Sequence, residues 1–81
     1  MKLTVEKIEL LKAIDDLCNE SEYGVAQVKE IMLKLNKNRG AVAKQLRILN
    51  REGYVENPLW GAWRLTELGK KTLKEVMEAN V

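Results

Sequence analysis

The run Asn38-Arg39-Gly40-Ala41-Val42-Ala43-Lys44-Gln45-Leu46-Arg47-Ile48-Leu49-Asn50-Arg51-Glu52-Gly53-Tyr54-Val55 contains a helix together with the signals that start and stop it. Asn38 is a residue type whose side chain accepts a hydrogen bond from a first-turn N–H, so it reads as the N-cap. Val42, Leu46 and Leu49 follow at steps of four and three, which puts them on one buried stripe. Gly53 stands where a helix of this phase stops, because glycine adopts the left-handed conformation that closes a C-terminus. The spacing predicts a helix over about 39–52, followed by a short alternating strand at Tyr54-Val55-Glu56-Asn57.

With Val42 at zero and about 100° per residue, Leu46 and Leu49 fall within about 40° of it. The opposite side carries Gly40, Lys44, Arg47 and Arg51, with Ala43 on its shoulder and no acid among them. Cations arranged this way neutralise phosphates and release condensed counterions. Gly40 and Ala43 leave room for a backbone to approach a groove floor. Arg39 lies off this axis but in the first turn, where side chains of docked helices reach DNA. Arginine pairs bidentately with guanine, and Gln45 can pair with adenine in the same way. A solvated amphipathic helix also puts Lys and Arg outside. Gly40 argues against that reading, because glycine costs about 0.8–1 kcal/mol in a helix interior, though less near an end. Ile48 fits the outward face less well; it packs on a neighbouring element or a partner, or is an incidental exposed apolar residue.

Downstream, Pro58-Leu59-Trp60-Gly61 has turn chemistry and Ala62-Trp63-Arg64-Leu65 reads as a return strand. Thr66 caps a last helix over about 67–79, with Leu68, Leu73, Val76 and Met77 as its apolar side. Upstream, a second helix runs from Val25 or Ala26 to Leu35, using Val25, Val28, Ile31, Met32 and Leu35. It ends at Asn36-Lys37-Asn38, since asparagine tolerates a left-handed turn. Before it, 19–24 are turn formers. A first helix over 4–19 has Thr4 as N-cap and a stripe of Leu3, Leu10, Leu11, Ile14, Leu17 and Cys18. The order is helix, helix, tight turn, helix, hairpin, helix. It predicts a mainly α fold with a small antiparallel β-hairpin, in one domain over 1–81, containing a helix-turn-helix unit.

Composition narrows the function classes. The 81 residues are 46% hydrophobic and 32% charged, which is globular. No apolar run approaches the roughly 18–20 residues of a membrane span, so no membrane partner is expected. The N-terminal segment lacks the pattern of a secretory signal. One cysteine and no histidine remove an internal disulfide, the usual zinc sites and the commonest general base. Neither a cofactor nor an enzymatic activity is expected. The net charge of +2 hides a strong asymmetry: residues 1–33 hold four lysines against seven acids, and residues 34–74 hold ten Lys or Arg against three acids. One face of the molecule is therefore expected to suit a polyanion.

The run 38–55 resembles winged-helix repressors of the MarR/ArsR/PadR type, which show a capped helix with a V-x-x-x-L-x-x-L core, a short polar stretch, Gly and a hydrophobic strand start. Trp63-Arg64-Leu65-Thr66-Glu67-Leu68-Gly69-Lys70-Lys71 is similar to their strand-to-helix junction, and the resemblance covers about 25–72. It implies a winged helix-turn-helix of α-α-α-β-β-α order. It also implies a cytoplasmic, homodimeric transcription regulator on an inverted-repeat double-stranded DNA operator. Arg39, Gly40, Ala43, Lys44 and Arg47 would enter the major groove, and hairpin 54–65 would lie along the neighbouring minor groove or backbone. With Asn38, Gln45, Arg51, Trp60 and Arg64 added, these residues form the expected DNA-binding set.

Three features depart from the family pattern. The second helix and its turn look longer than usual, with Asn36 in place of the common Gly. The wing is short, with Trp60 near its tip and Arg64 as its one base. The Cys and His sets of arsenical-type repressors are missing, which argues against metal sensing. Two rivals use the same fold: a winged-helix protein–protein interaction module of a larger assembly, and a structured-RNA binder.

The remaining candidates have plainer readings. Trp63 is expected on the core, Trp60 exposed or in an interface, and Tyr54 and Tyr23 at the core edge, with Tyr23 ahead of a short strand beside the wing. Cys18 reads as a small buried hydrophobe rather than a redox sensor. Asp15, Asp16, Glu20 and Glu22 lack calcium-loop spacing and read as a solvated helix end. The terminal helices carry spare apolar residues, and Leu10, Leu11, Leu17, Val76 and Met77 are the expected dimer seam.

Overall fold

In the computed structural model, which describes residues 4–79, the elements follow as α1 (Val5–Glu20), β1 (Ala26–Gln27), α2 (Val28–Leu35), α3 (Arg39–Arg51), β2 (Val55–Leu59), β3 (Ala62–Leu65) and α4 (Glu67–Ala79). Leu3, assigned above to the first apolar stripe, lies outside the described residues. Leu10, Leu11 and Ile14 of α1, Ile31 of α2, Val42, Leu46 and Leu49 of α3, Val55, Leu65 and Leu73 bury one another in a single cluster. The valine and leucines of the 38–55 run all point inward, as their spacing requires.

The two helices of the helix-turn-helix unit close with matching C-terminal ends. α2 stops at Asn36, which adopts φ 54, and the Lys37 N–H reaches back to the Met32 carbonyl at 3.1 Å. α3 stops at Gly53, φ 86, where the Gly53 N–H bonds Asn50 O at 3.0 Å and the Tyr54 N–H bonds Leu49 O at 2.9 Å. Both are Schellman-type closures that satisfy carbonyls a helix end would leave bare. Asn36 thus fills the place of the more usual glycine.

One expectation is corrected here. The second helix was read from Val25 or Ala26, but Ala26–Gln27 form a strand that pairs antiparallel with β3, Ala26 opposite Trp63 and Gln27 opposite Ala62. The helix proper is only eight residues long, so it is short rather than longer than usual. Its start is fixed by tertiary contact, because the Val28 N–H donates to the Gly61 carbonyl at 3.2 Å across the sheet. The sheet order is β1-β3-β2, which leaves β2 at an edge. Pro58, which has no N–H to give a ladder, is tolerated there.

The dimer seam is corrected as well. Leu10 and Leu11 are 2% and 0% exposed inside this one chain, so neither is available to a second copy. Leu17 is half-buried and packs on the same cluster. Of the expected seam, Val76 is half-buried and Met77 stands out at 49% exposure. The core of a chain this small needs the α1 leucines for itself. Tyr23, expected at the core edge, is exposed, whereas Tyr54 and Trp63 do pack against the core. Leu68, read as part of the apolar side of the last helix, is exposed too.

Candidate nucleic-acid interface

The Asn38 Oδ1 accepts from the Ala41 N–H at 2.8 Å and starts α3. This cap fixes the phase of the helix, and the buried stripe fixes its roll. Arg39, Gly40, Lys44, Arg47 and Arg51 consequently lie exposed. The ion pairs among the described residues join Lys7 to Glu52 and Arg64 to Glu56, so no carboxylate neutralises the four cations of α3. Ala43 and Ile48 are half-buried at the borders of the exposed face.

The structure does not bring every expected residue to this face. Gln45 sits toward the interior side of α3, half-buried, and its Oε1 is buried without a hydrogen-bond partner. It lines a small cleft with Leu10 and Glu6 of α1, Leu35 of α2, and Lys37. Arg64 forms a charge-assisted hydrogen bond with Glu56 on the neighbouring strand and lines clefts with Lys70 of α4. It is absent from the groove that Arg39 shares with the wing tip. Trp60 is fully exposed, at 99%, in the turn between β2 and β3.

That turn is held by a residue the sequence reading passed over. Asn57 Nδ2 donates to the carbonyls of both Leu59 and Ala62, closing the hairpin from its side. The register of β2 and β3 shifts between Glu56 and Leu59, a local irregularity of the kind that re-aims a strand end. Gly61, φ 76, takes the left-handed position of the turn. An Asn directly before Pro between two strands was the available signal. Lys29, at the start of α2, is the second residue missed; it lines the same groove as Arg39 and Trp60. No sequence spacing could reveal that, since β1 places it there.

Among the described residues no three His, Cys, Asp or Glu side chains converge where a metal ion could be held. No described helix is long and apolar enough to cross a membrane. What the site offers is an exposed, uncompensated row of cations on a helix whose position is fixed by a capped turn.

The sequence model of bacterial regulatory proteins of the arsR family matches residues 7–57. The chain belongs to that family. The matched segment spans α1 through most of β2 and contains the whole helix-turn-helix unit. A search of curated proteins finds no match. Among solved structures, that of IdeR from T. acidophilum superposes with a TM-score of 0.71 at 22% identity. The superposition covers 90% of this chain and 33% of IdeR, so the chain spans about a third of that protein's length. The likeness shows the shared winged-helix fold. This chain is therefore a winged helix-turn-helix protein of the arsR family of bacterial regulatory proteins, with α2 and α3 as the helix-turn-helix pair and the β2–β3 hairpin as the wing.

Proposed function

We propose that this arsR-family regulator binds duplex DNA sequence-specifically by laying α3 in the major groove, and that it does so as a homodimer in the cytoplasm. One observation carries the reading: Lys44, Arg47 and Arg51 are exposed and unpaired on the face opposite Val42, Leu46 and Leu49, with Arg39 exposed and unpaired in the first turn of the same helix. Arg47, at mid-helix, and Arg39, in the first turn, read base edges; Lys44 and Arg51 hold phosphates. Gly40 and Ala43 admit the groove floor between them. Gln45 supports the α1–α3 contact rather than reading a base, because its oxygen is buried. Arg64, paired with Glu56, contributes little.

The homodimer is assigned to α4. Met77 is exposed beside buried Leu73, and Asp15, Lys70, Lys74 and Glu78 surround them with charges of both signs. In a two-fold contact each such surface meets its own copy, and its charges of both signs allow Asp15 or Glu78 of one protomer to face Lys70 or Lys74 of the other.

The test is selection of bound sequences from a random duplex pool at physiological salt, followed by variants on the winner. Lys44→Ala and Arg51→Ala should each weaken all sequences about equally and flatten the salt dependence by about one unit. Arg47→Ala should cost about 1–3 kcal/mol and relax one position of the site. If Lys44→Ala/Arg47→Ala leaves duplex affinity intact, the assigned face is wrong. If a structured RNA competes as well as the selected duplex, the nucleic acid is wrong.

A further inference from the structure

A shallow groove runs between the wing tip and the N-terminal ends of α2 and α3, lined in part by Tyr23, Lys29, Arg39, Leu59, Trp60 and Trp63. Its lining holds two cations and no acid. Exposed apolar side chains also gather along it: Trp60 is 99% exposed, Tyr23 80% and Leu59 63%. The hairpin that supplies Leu59 and Trp60 has no free charge of its own. Its charged residues, Glu56 and Arg64, are bound to each other.

We infer that the wing of this regulator engages DNA by apolar contact rather than by charge. Leu59 and Trp60 pack on the deoxyribose walls of the minor groove beside the recognition site, while Lys29 and Arg39 hold the phosphates that cross the groove. This rests on the DNA reading above and adds a second, chemically different contact to it. Two observations favour duplex DNA as the occupant. The groove is continuous with the α3 face through Arg39, and its charge is uniformly positive, which suits a polyanion. The tip is also preorganised. Asn57 bonds the Leu59 and Ala62 carbonyls, so little backbone freedom of the turn remains to be lost on docking.

Charge and apolar contact respond differently to salt, and that difference makes the test. Phosphate contacts weaken as salt rises because they release counterions, whereas apolar burial does not. Affinity for the selected duplex is measured by fluorescence anisotropy across a salt series. Trp60→Ala is expected to lower affinity roughly tenfold at every salt concentration with the slope unchanged. Leu59→Ala should do the same to a smaller extent. Lys29→Ala should flatten the slope by about one unit. Acrylamide quenching of tryptophan emission should fall on adding the duplex in the wild type and change less in Trp60→Ala. Because Trp60 makes no buried contact, its loss should leave the melting curve in place.

Wild-type affinity in Trp60→Ala overturns the inference, as does a flattened slope in that variant. A change in the sedimentation of DNA-free protein on Trp60→Ala also overturns it, because the patch then belongs to a second copy. If Lys44→Ala/Arg47→Ala is equally without effect, the DNA reading falls with it. If only the wing variants are silent, the recognition helix stands and the wing contact alone is lost.

Discussion

Two glycines show how differently the same residue can act. Gly69 of α4 is buried, and a Cβ there would run into the Tyr54 carbonyl oxygen, which already accepts the Thr66 N–H. Gly69→Ala should therefore destabilise the fold by roughly 2 kcal/mol, despite alanine's better helix propensity. In a chain of this size that lowers Tm by on the order of 10 °C. A thermal melt with an unchanged midpoint would mean the approach of α4 to Tyr54 is looser than described. Gly40 is the opposite case. A Cβ there would meet only the Asn38 Oδ1, at an ordinary 3.5 Å. Gly40→Ala should raise stability by about a few tenths of a kcal/mol while lowering DNA affinity, because it fills the exposed face where the groove floor approaches. Greater stability combined with weaker binding is a signature no purely structural role gives.

Cys18 is a residue-scale case with a pH signature. Burial first, and the Asp15 charge second, push its thiol above the usual value. Its Sγ–H donates to the Trp63 carbonyl at 3.7 Å. The folded state therefore prefers the neutral thiol. This preference stabilises the fold at all pH values below the unfolded thiol's pKa and is lost as pH rises through the folded one. Native Cys18 should accordingly alkylate with iodoacetamide more slowly than the unfolded chain at pH 8–9. Equal rates would show that the thiolate forms as readily in the fold.

At the scale of elements, the wing is the part whose order depends on one side chain. Asn57→Ala removes both hydrogen bonds that close the hairpin from its side. Since Asn57 is exposed, the cost to global stability should be only about 1 kcal/mol. The local effect should be larger: amides at 59–62 should exchange faster while those of α3 keep their protection. Uniform acceleration across both would mean the wing and the helical core open as one unit.

The elements differ in how legible they were in the sequence. α3 was readable almost to the residue, because cap, stripe and stop are all local chemistry and agree with one another. The hairpin was readable from its turn residues. β1 was not. Two residues carry no period, and Val25 and Val28 continue the three- and four-residue steps of the helix that follows. Only pairing with β3, about 36 residues further on, makes Ala26–Gln27 a strand. The site divides the same way. Lys44, Arg47 and Arg51 follow from the helical phase alone, and Arg39 from its place in the first turn. Gln45 sits about 60° from Val42 on the same wheel, so its inward turn was also legible there; the pairing of Arg64 and the arrival of Lys29 beside the wing depend on neighbouring elements. The α1 leucines were misassigned because a periodic stripe shows that residues are buried but not what buries them.

For the whole molecule, the uneven charge distribution in the sequence and the thin core lead to one expectation about assembly. The core consumes Leu10 and Leu11 of α1, which leaves the exposed Met77 of α4 as the centre of the contact proposed above between two copies. An α4-mediated pair would present two α3 faces to one side of a duplex, and reading two half-sites requires them about one DNA turn, roughly 34 Å, apart. Met77→Glu puts a charge at the centre of the proposed contact without touching the α3 face. Sedimentation at tens of micromolar should then shift from dimer to monomer. Affinity for a palindromic site should fall steeply, because the second half-site no longer binds at the high effective concentration a linked partner provides. Affinity for an isolated half-site should stay unchanged. If Met77→Glu remains dimeric, the seam lies elsewhere; if the wild-type protein is already monomeric both free and on the palindrome, α4 serves only the fold. The half-site measurement separates loss of pairing from loss of the recognition face, since only the latter would weaken both.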